Sequence, residues 1–145
     1  MDHLQGGVVA TDVGKVVDVL GHTYTYKAYG PGVIFAFATV DQPDTGIPLH
    51  THPEQDEFIL VQEGTYRVML GESEQIAQVG DLIVLPRGTP HSYHNHSSSE
   101  VARALFWVTP EGQLRELFDA LSSLKPGDDV AEISARHGVL FLPPA

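Results

Sequence analysis

A chain of 145 residues, 42% hydrophobic and 19% charged, is long enough to bury one core and too apolar for wholesale disorder. Its formal charge of −11, from 8 basic and 19 acidic residues, argues against partners that present phosphates, whether nucleic acid or an anionic membrane surface. There is no cysteine, which excludes disulfides and thiolate metal ligation.

Residues 1–14 carry neither a basic cluster nor an apolar run, so no signal peptide is expected. No stretch approaches the ~20 apolar residues of a membrane span, and the cytoplasm is the expected compartment. A short strand is expected at 8–10. Further strands are expected at 16–20 and 23–28, split by Gly21, the second marked by alternating Thr23-Tyr24-Thr25-Tyr26. Tyr29-Gly30-Pro31-Gly32 reads as a turn, and the apolar run 33–40 as a strand buried on both sides. A loop over 41–47 leads to a short extended piece, 48–52.

Runs at 57–62 and 65–70 meet at Glu63-Gly64, which reads as a hairpin. Strands at 74–79 and 82–85 follow. The bend Pro86-Arg87-Gly88-Thr89-Pro90 then leads into strands at 91–96 and 101–108. After that the period changes. Leu114, Leu117, Phe118, Leu121 and Leu124 recur at helical spacing, behind Thr109 as N-cap and Pro110 at the first helical position, with Pro126-Gly127 as the stop. Asp129 and Glu132 have capping-box spacing for a second short helix that ends near His137 with Gly138 beyond it. About ten short strands and two short helices describe one all-β domain over 1–145, a sandwich or barrel.

The chemistry concentrates in His50-Thr51-His52-Pro53-Glu54-Gln55-Asp56-Glu57. Two histidines at i and i+2 point to one side of an extended backbone. Glu57, five residues on, can come round a tight bend to face them, and His91 on a later strand answers them. Three nitrogens and one oxygen make a ligand set that suits iron, manganese, nickel, copper or zinc.

These residues also carry a family resemblance. His50-x-His52-x4-Glu57-x6-Gly64 resembles the first conserved motif of the cupin superfamily. Gly80-x5-Pro86-x-Gly88-x2-His91-x3-Asn95 resembles the second, and 15 residues, 65–79, lie between them. The glycine that usually opens the first motif is replaced by Asp44, with Gly46 two residues later; the ligand positions are intact. The resemblance implies a double-stranded β-helix (a jelly-roll barrel) with a metal-binding core over about 33–108 and a helical segment over about 110–138. It implies one divalent transition metal inside the barrel, held by His50, His52, Glu57 and His91.

A narrower likeness rests on Glu54 to Phe58, Leu85 to Ser92 and Val108 to Gly112. It is to small cupins related to bacterial quercetin 2,3-dioxygenases. This implies a dioxygenase acting on a small aromatic or flavonol-like substrate, with Glu57 both ligand and catalytic base for a substrate hydroxyl. The same fold also accommodates a non-oxidative metal-dependent isomerase, lyase or decarboxylase, or a cupin that binds a small ligand without catalysis. Tyr93 shares a strand face with His91, and with Phe35, Phe37 and Arg67 it is a candidate for the substrate pocket. His94 falls on the opposite face and His96 at the edge of a serine-rich loop, so both are expected at the surface. Asn95 is expected to stabilise a turn. Cupins of this type are usually dimers, and a homodimer is expected here, with residues 16–28 available to cover a sheet edge.

Overall fold

The computed structural model describes residues 4–143. Its strands are β1 (Val16–Val19), β2 (His22–Gly30), β3 (Ile34–Asp41), β4 (Gly46–Thr51), β5 (Asp56–Glu63), β6 (Tyr66–Leu70), β7 (Ser73–Ala77), β8 (Leu82–Leu85), β9 (His91–Asn95), β10 (Ala102–Thr109) and β11 (Leu140–Phe141). They form two antiparallel sheets, one in the order β1-β2-β3-β10-β5-β8 and the other in the order β11-β4-β9-β6-β7. This is the expected all-β jelly roll with two short helices, α1 (Leu114–Leu121) and α2 (Val130–Arg136). No helix among the described residues is long and apolar enough to cross a membrane.

Strand alternation builds the interior. On β3, Phe35, Phe37, Thr39 and Asp41 are buried while the residues between them are partly exposed. The 33–40 run therefore buries one face and not the expected two, because the sheet's other face stays partly open to water. Residues 8–10 form no strand. The carbonyls of Ala10, Thr11 and Val13 accept from Lys27 Nζ at 2.7–2.8 Å, a side-chain partner where a strand would need a neighbouring backbone.

Glu63-Gly64 is not a hairpin either. β5 pairs with β10 and β8, whereas β6 pairs with β7 and β9, so this turn carries the chain from one sheet to the other. Gly64 has φ +78°, and a Cβ there would stand 3.0 Å from that of Ala102. The turn is thus packed against the start of β10, which fits only glycine comfortably. The true hairpin in this stretch is β6–β7.

The first helix starts later than its apparent signals. Thr109 closes β10 and is not an N-cap, and Gly112 at φ +57° cannot sit in a right-handed helix, so α1 begins only at Leu114. Its buried stripe is Leu114, Leu117, Phe118 and Leu121. The Phe118 ring stacks on Tyr24 at 4.3 Å and meets Phe37 edge-on at 5.0 Å. Burying such a ring contributes about 2–3 kcal/mol. The second helix behaves as read: the Asp129 side chain accepts from the Glu132 N–H at 3.2 Å, and Gly138 follows the helix at φ +84°. The chain then returns as β11, with Phe141 opposite His50 on β4.

A buried polar network fixes the approach to β4. Asp41 accepts from Thr39 Oγ1 at 2.8 Å and from the Tyr66 hydroxyl, and stands 2.6 Å from His22 Nδ1. The Asn95 amide donates to the carbonyls of Asp41, Gln42 and Glu100, the expected turn-stabilising role.

Candidate metal centre

β4, the turn after it, and the first residues of β5 and β9 converge inside the barrel. His50 stands opposite His91 in the β4–β9 pairing, and Glu57 stands between Leu85 of β8 and Val108 of β10. The turn that bears His52 is clamped to the Pro86–Pro90 bend. The Arg87 N–H donates to Asp56 Oδ1 at 2.8 Å, its guanidinium reaches Asp56 Oδ2 at 3.1 Å, and the Gly88 N–H donates to His52 O at 3.0 Å. Arg87 holds the Asp56 carboxyl below its usual range. This clamp places His91, the next residue after the bend, against Glu57.

His50, His52, Glu57 and His91 are all buried, and their ligand atoms lie within 4.8 Å of one another. Ligands about 2.0–2.2 Å from a common ion stand on the order of 3–4 Å apart. The Glu57 Oε2 distances, 3.1 Å to His91 Nε2 and 3.5 Å to His52 Nε2, fall in that range.

The outer hydrogen bonds fix which nitrogens face inward. His50 Nδ1 is 2.8 Å from Pro48 O, and His91 Nδ1 is 2.9 Å from Thr89 O. A carbonyl only accepts, so both Nδ1 atoms carry hydrogen. His52 Nδ1 is 2.9 Å from Gln55 Oε1. In the neutral rings all three Nε2 lone pairs are bare, beside a carboxylate. Three lone pairs and an anion in one small space have no donor among them unless a ring takes up a proton. The donor set therefore fits a cation, and its outer partners are of the kind that orient metal-bound imidazoles.

The charges agree. Burial, with His91 and His52 nearby, lowers the His50 pKa to about 3, so this ring stays neutral. Burial alone would push Glu57 up, but the surrounding imidazoles outweigh it and hold the carboxyl at about 2. Burial pulls His91 down, and the hydrogen bond and charge of Glu57 overcome this and raise it.

Beside Glu57 and His52 lies a cavity of about 50 Å³, walled by Tyr24, Phe37 and Tyr93 and roofed by Leu114, Leu117 and Phe118 of α1. It has room for about four water molecules at 10–15 Å³ each. Tyr93 and Phe37 thus line the site. Phe35 does not: it packs in the aromatic core against Tyr26 and Phe118. Arg67 does not either. Tyr66 and Val68 point inward on β6, so Arg67 between them faces out, 3.6 Å from Glu74. His94 packs its ring against Gly46, His96 is exposed, and neither joins the cluster.

Two contributors are not readable from the sequence: Tyr24 is legible as a strand residue but not as an inward-facing one, and Gln55 stands between stronger ligand types with no local signal of its role. The helical stripe from Leu114 is legible as a lid on the barrel end or a dimer contact, and Leu114, Leu117 and Phe118 pack on the core beside the site. A larger surface groove of about 410 Å³, lined by residues of β6, β7 and β8, shares no lining residue with the centre and contains none of the ligating histidines.

Comparison with known proteins finds relatives in sequence and in fold. A cupin domain model matches residues 37–108. The chain is similar to the germin-like protein 9-1 of Oryza sativa subsp. japonica, with 29% identity over 116 residues, 75% of this chain and 38% of that protein. It is also similar to quercetin 2,3-dioxygenase of Bacillus subtilis (strain 168), with 32% identity over 76 residues, 52% of this chain and 22% of that protein. These alignments, with a third, cover only 22% to 38% of the curated relatives' own lengths. Among solved structures, KdgF from Halomonas sp. superposes with a TM-score of 0.66 at 19% identity, over 74% of this chain and 96% of that one.

Proposed function

Because the chain is a small cupin, we propose that His50, His52, Glu57 and His91 hold one divalent transition metal and that the protein is a metal-dependent dioxygenase of a small organic substrate. The observation that carries this reading is the donor set: three imidazoles, each with Nδ1 engaged outward and Nε2 turned inward, around one buried carboxylate. The dioxygenase part is supported by the likeness to quercetin 2,3-dioxygenase. A bound ion of iron, manganese, nickel or copper would supply Lewis acidity and a route for dioxygen activation.

The protein's own residues then have separable tasks. The Pro48, Thr89 and Gln55 acceptors hold the three rings in orientation. Glu57 borders the cavity and can take a proton from a substrate hydroxyl at Oε2 once its hold on His91 loosens. Phe37, Leu117 and Phe118 give the site apolar walls. The cavity of about 50 Å³ accepts only a fragment of a few atoms beside Glu57 and His52, so most of a flavonol-sized substrate would lie outside it.

A second reading has its own support. Glu57 is fixed between two imidazoles and held at about pKa 2, which describes a ligand better than a ready base. On that reading the centre acts as a Lewis acid in a non-oxidative isomerase, lyase or decarboxylase. Oxygen-electrode assays with candidate enolic or phenolic substrates, after loading with iron, manganese, nickel or zinc, separate the two. Oxygen uptake with redox-active ions and none with zinc supports the dioxygenase. Equal turnover without oxygen and with zinc supports the alternative. A Glu57→Gln protein with full turnover would remove the base.

A further inference from the structure

Gln55 lies between two metal-ligand positions, His52 and Glu57, in the turn before β5, and is itself buried. Its two amide atoms are committed in opposite directions. Nε2 reaches Glu111 O at 2.6 Å and Pro110 O at 3.1 Å. Both are carbonyls, so that atom must be the NH2 group. Oε1 is therefore the atom 2.9 Å from His52 Nδ1, and it can only accept. His52 is thereby compelled to carry its hydrogen on Nδ1 and to turn Nε2 inward. The other two imidazoles get the same instruction from backbone carbonyls close by in sequence. His52 alone gets it from a side chain whose orientation is set by residues 110 and 111, far along the chain.

The anchor itself is shaped for this contact. Gly112 has φ +57°, and a Cβ on it would come within 2.7 Å of Gln55 Nε2. Residues 110–112 lead directly into α1, whose Leu114, Leu117 and Phe118 roof the cavity. One amide thus bridges a ligand of the centre and the root of its roof.

We propose that Gln55 is a positioning residue of the metal centre: it fixes the tautomer of His52 and couples that ring to the turn that carries the roof of the cavity. The inference rests on the metal reading given above, and its test separates the two. Gln55→Met keeps the length and removes both amide functions. Gln55→Glu keeps an acceptor for His52 and loses the donors to residues 110 and 111.

The first readout is the long-range 1H–15N spectrum of metal-free, full-length protein, with His52 assigned by a His52→Gln control. Wild type and Gln55→Glu should show one Nδ1–H tautomer, and Gln55→Met should show a mixture. The second readout is affinity for cobalt(II), which should fall about 10- to 100-fold in Gln55→Met and stay at or above the wild-type value in Gln55→Glu. A single Nδ1–H tautomer and unchanged cobalt affinity in Gln55→Met would overturn the proposal, as would an equal loss in both variants. If wild type takes up no cobalt, the metal reading falls, and the tautomer of the metal-free protein still decides the role of Gln55.

Discussion

Glu57 Oε2 stands 3.1 Å from His91 Nε2, two residues that are 34 positions apart in sequence and face each other because the Arg87–Asp56 clamp draws their strands together. The contact makes His91 the proton reservoir of the metal-free centre. Glu57 outweighs burial and keeps the ring protonated above its ordinary 6.5. A metal ion must displace that proton. Affinity should therefore fall as pH drops below the raised value, by about tenfold per pH unit for one proton, and level off above it. Competition with a chromophoric chelator between about pH 5.5 and 8.5 measures this. A flat affinity over that span would contradict it.

Stability of the metal-free protein should have a different acid profile. His50 titrates at 6.5 in the unfolded chain and about 3 in the folded one, so between these values the unfolded chain binds a proton that the folded chain refuses. Stability therefore falls as pH drops from 6.5 toward 3. Glu57, moved from 4.5 to about 2, holds a contribution that is full above 4.5 and lost as pH falls toward 2. His91 acts in the other direction: its contribution is full below 6.5 and fades as pH rises through its raised value. The urea midpoint should peak near pH 6.5, and His50→Gln should flatten the slope on the acid side between 6.5 and 4.5. A midpoint unchanged over that acid range would refute the assignment.

The strands that build the core were legible from β-rich runs and turn residues, but the face that turns inward was not. The run 23–28 declares no buried face and 33–40 reads as buried on both, whereas Tyr24, Tyr26, Phe35 and Phe37 point in and the residues between them stay partly exposed. The four convergent residues were legible because their spacing is local on one side, from His50 to Glu57, and carried by a rigid bend on the other, before His91. What escaped was non-local. Nothing around Glu63-Gly64 says that β5 and β6 belong to different sheets, since sheet membership is decided by β9 and β10 much later. Thr109 and Pro110 look like a helix start, and only the positive φ of Gly112 shows why they are not one. The partner of Gln55 is another residue pair 55 and 56 positions away, which no local pattern announces.

Asp41 and His22 form a buried pair at 2.6 Å, each about 1% exposed. His22 Nε2 also faces the Gly46 carbonyl at 3.3 Å, so both ring nitrogens meet acceptors. Removing the carboxylate in Asp41→Asn should cost about 3–5 kcal/mol, the scale for breaking one side of a buried pair. Denaturant unfolding reads it directly. A loss under about 1 kcal/mol, the value for an exposed pair, would show that the network bears little of the fold's stability.

Phe118 joins the roof of the cavity to the aromatic core through Tyr24, Phe35 and Phe37. Phe118→Ala should destabilise by about 3–5 kcal/mol and enlarge the cavity beside Glu57. Unfolding curves give the first quantity, and a crystal structure of the variant gives the second. A loss under about 1 kcal/mol would mean that α1 is not packed as described.

The metal centre itself is tested most directly by elemental analysis of protein purified without added metal, followed by titration of the stripped protein with iron, manganese, nickel, copper and zinc salts. The account predicts one divalent transition ion per chain, lost or bound at least about tenfold more weakly in His50→Ala, His52→Ala, His91→Ala and Glu57→Gln. A wild-type protein that carries none of these metals and binds none of them would contradict it.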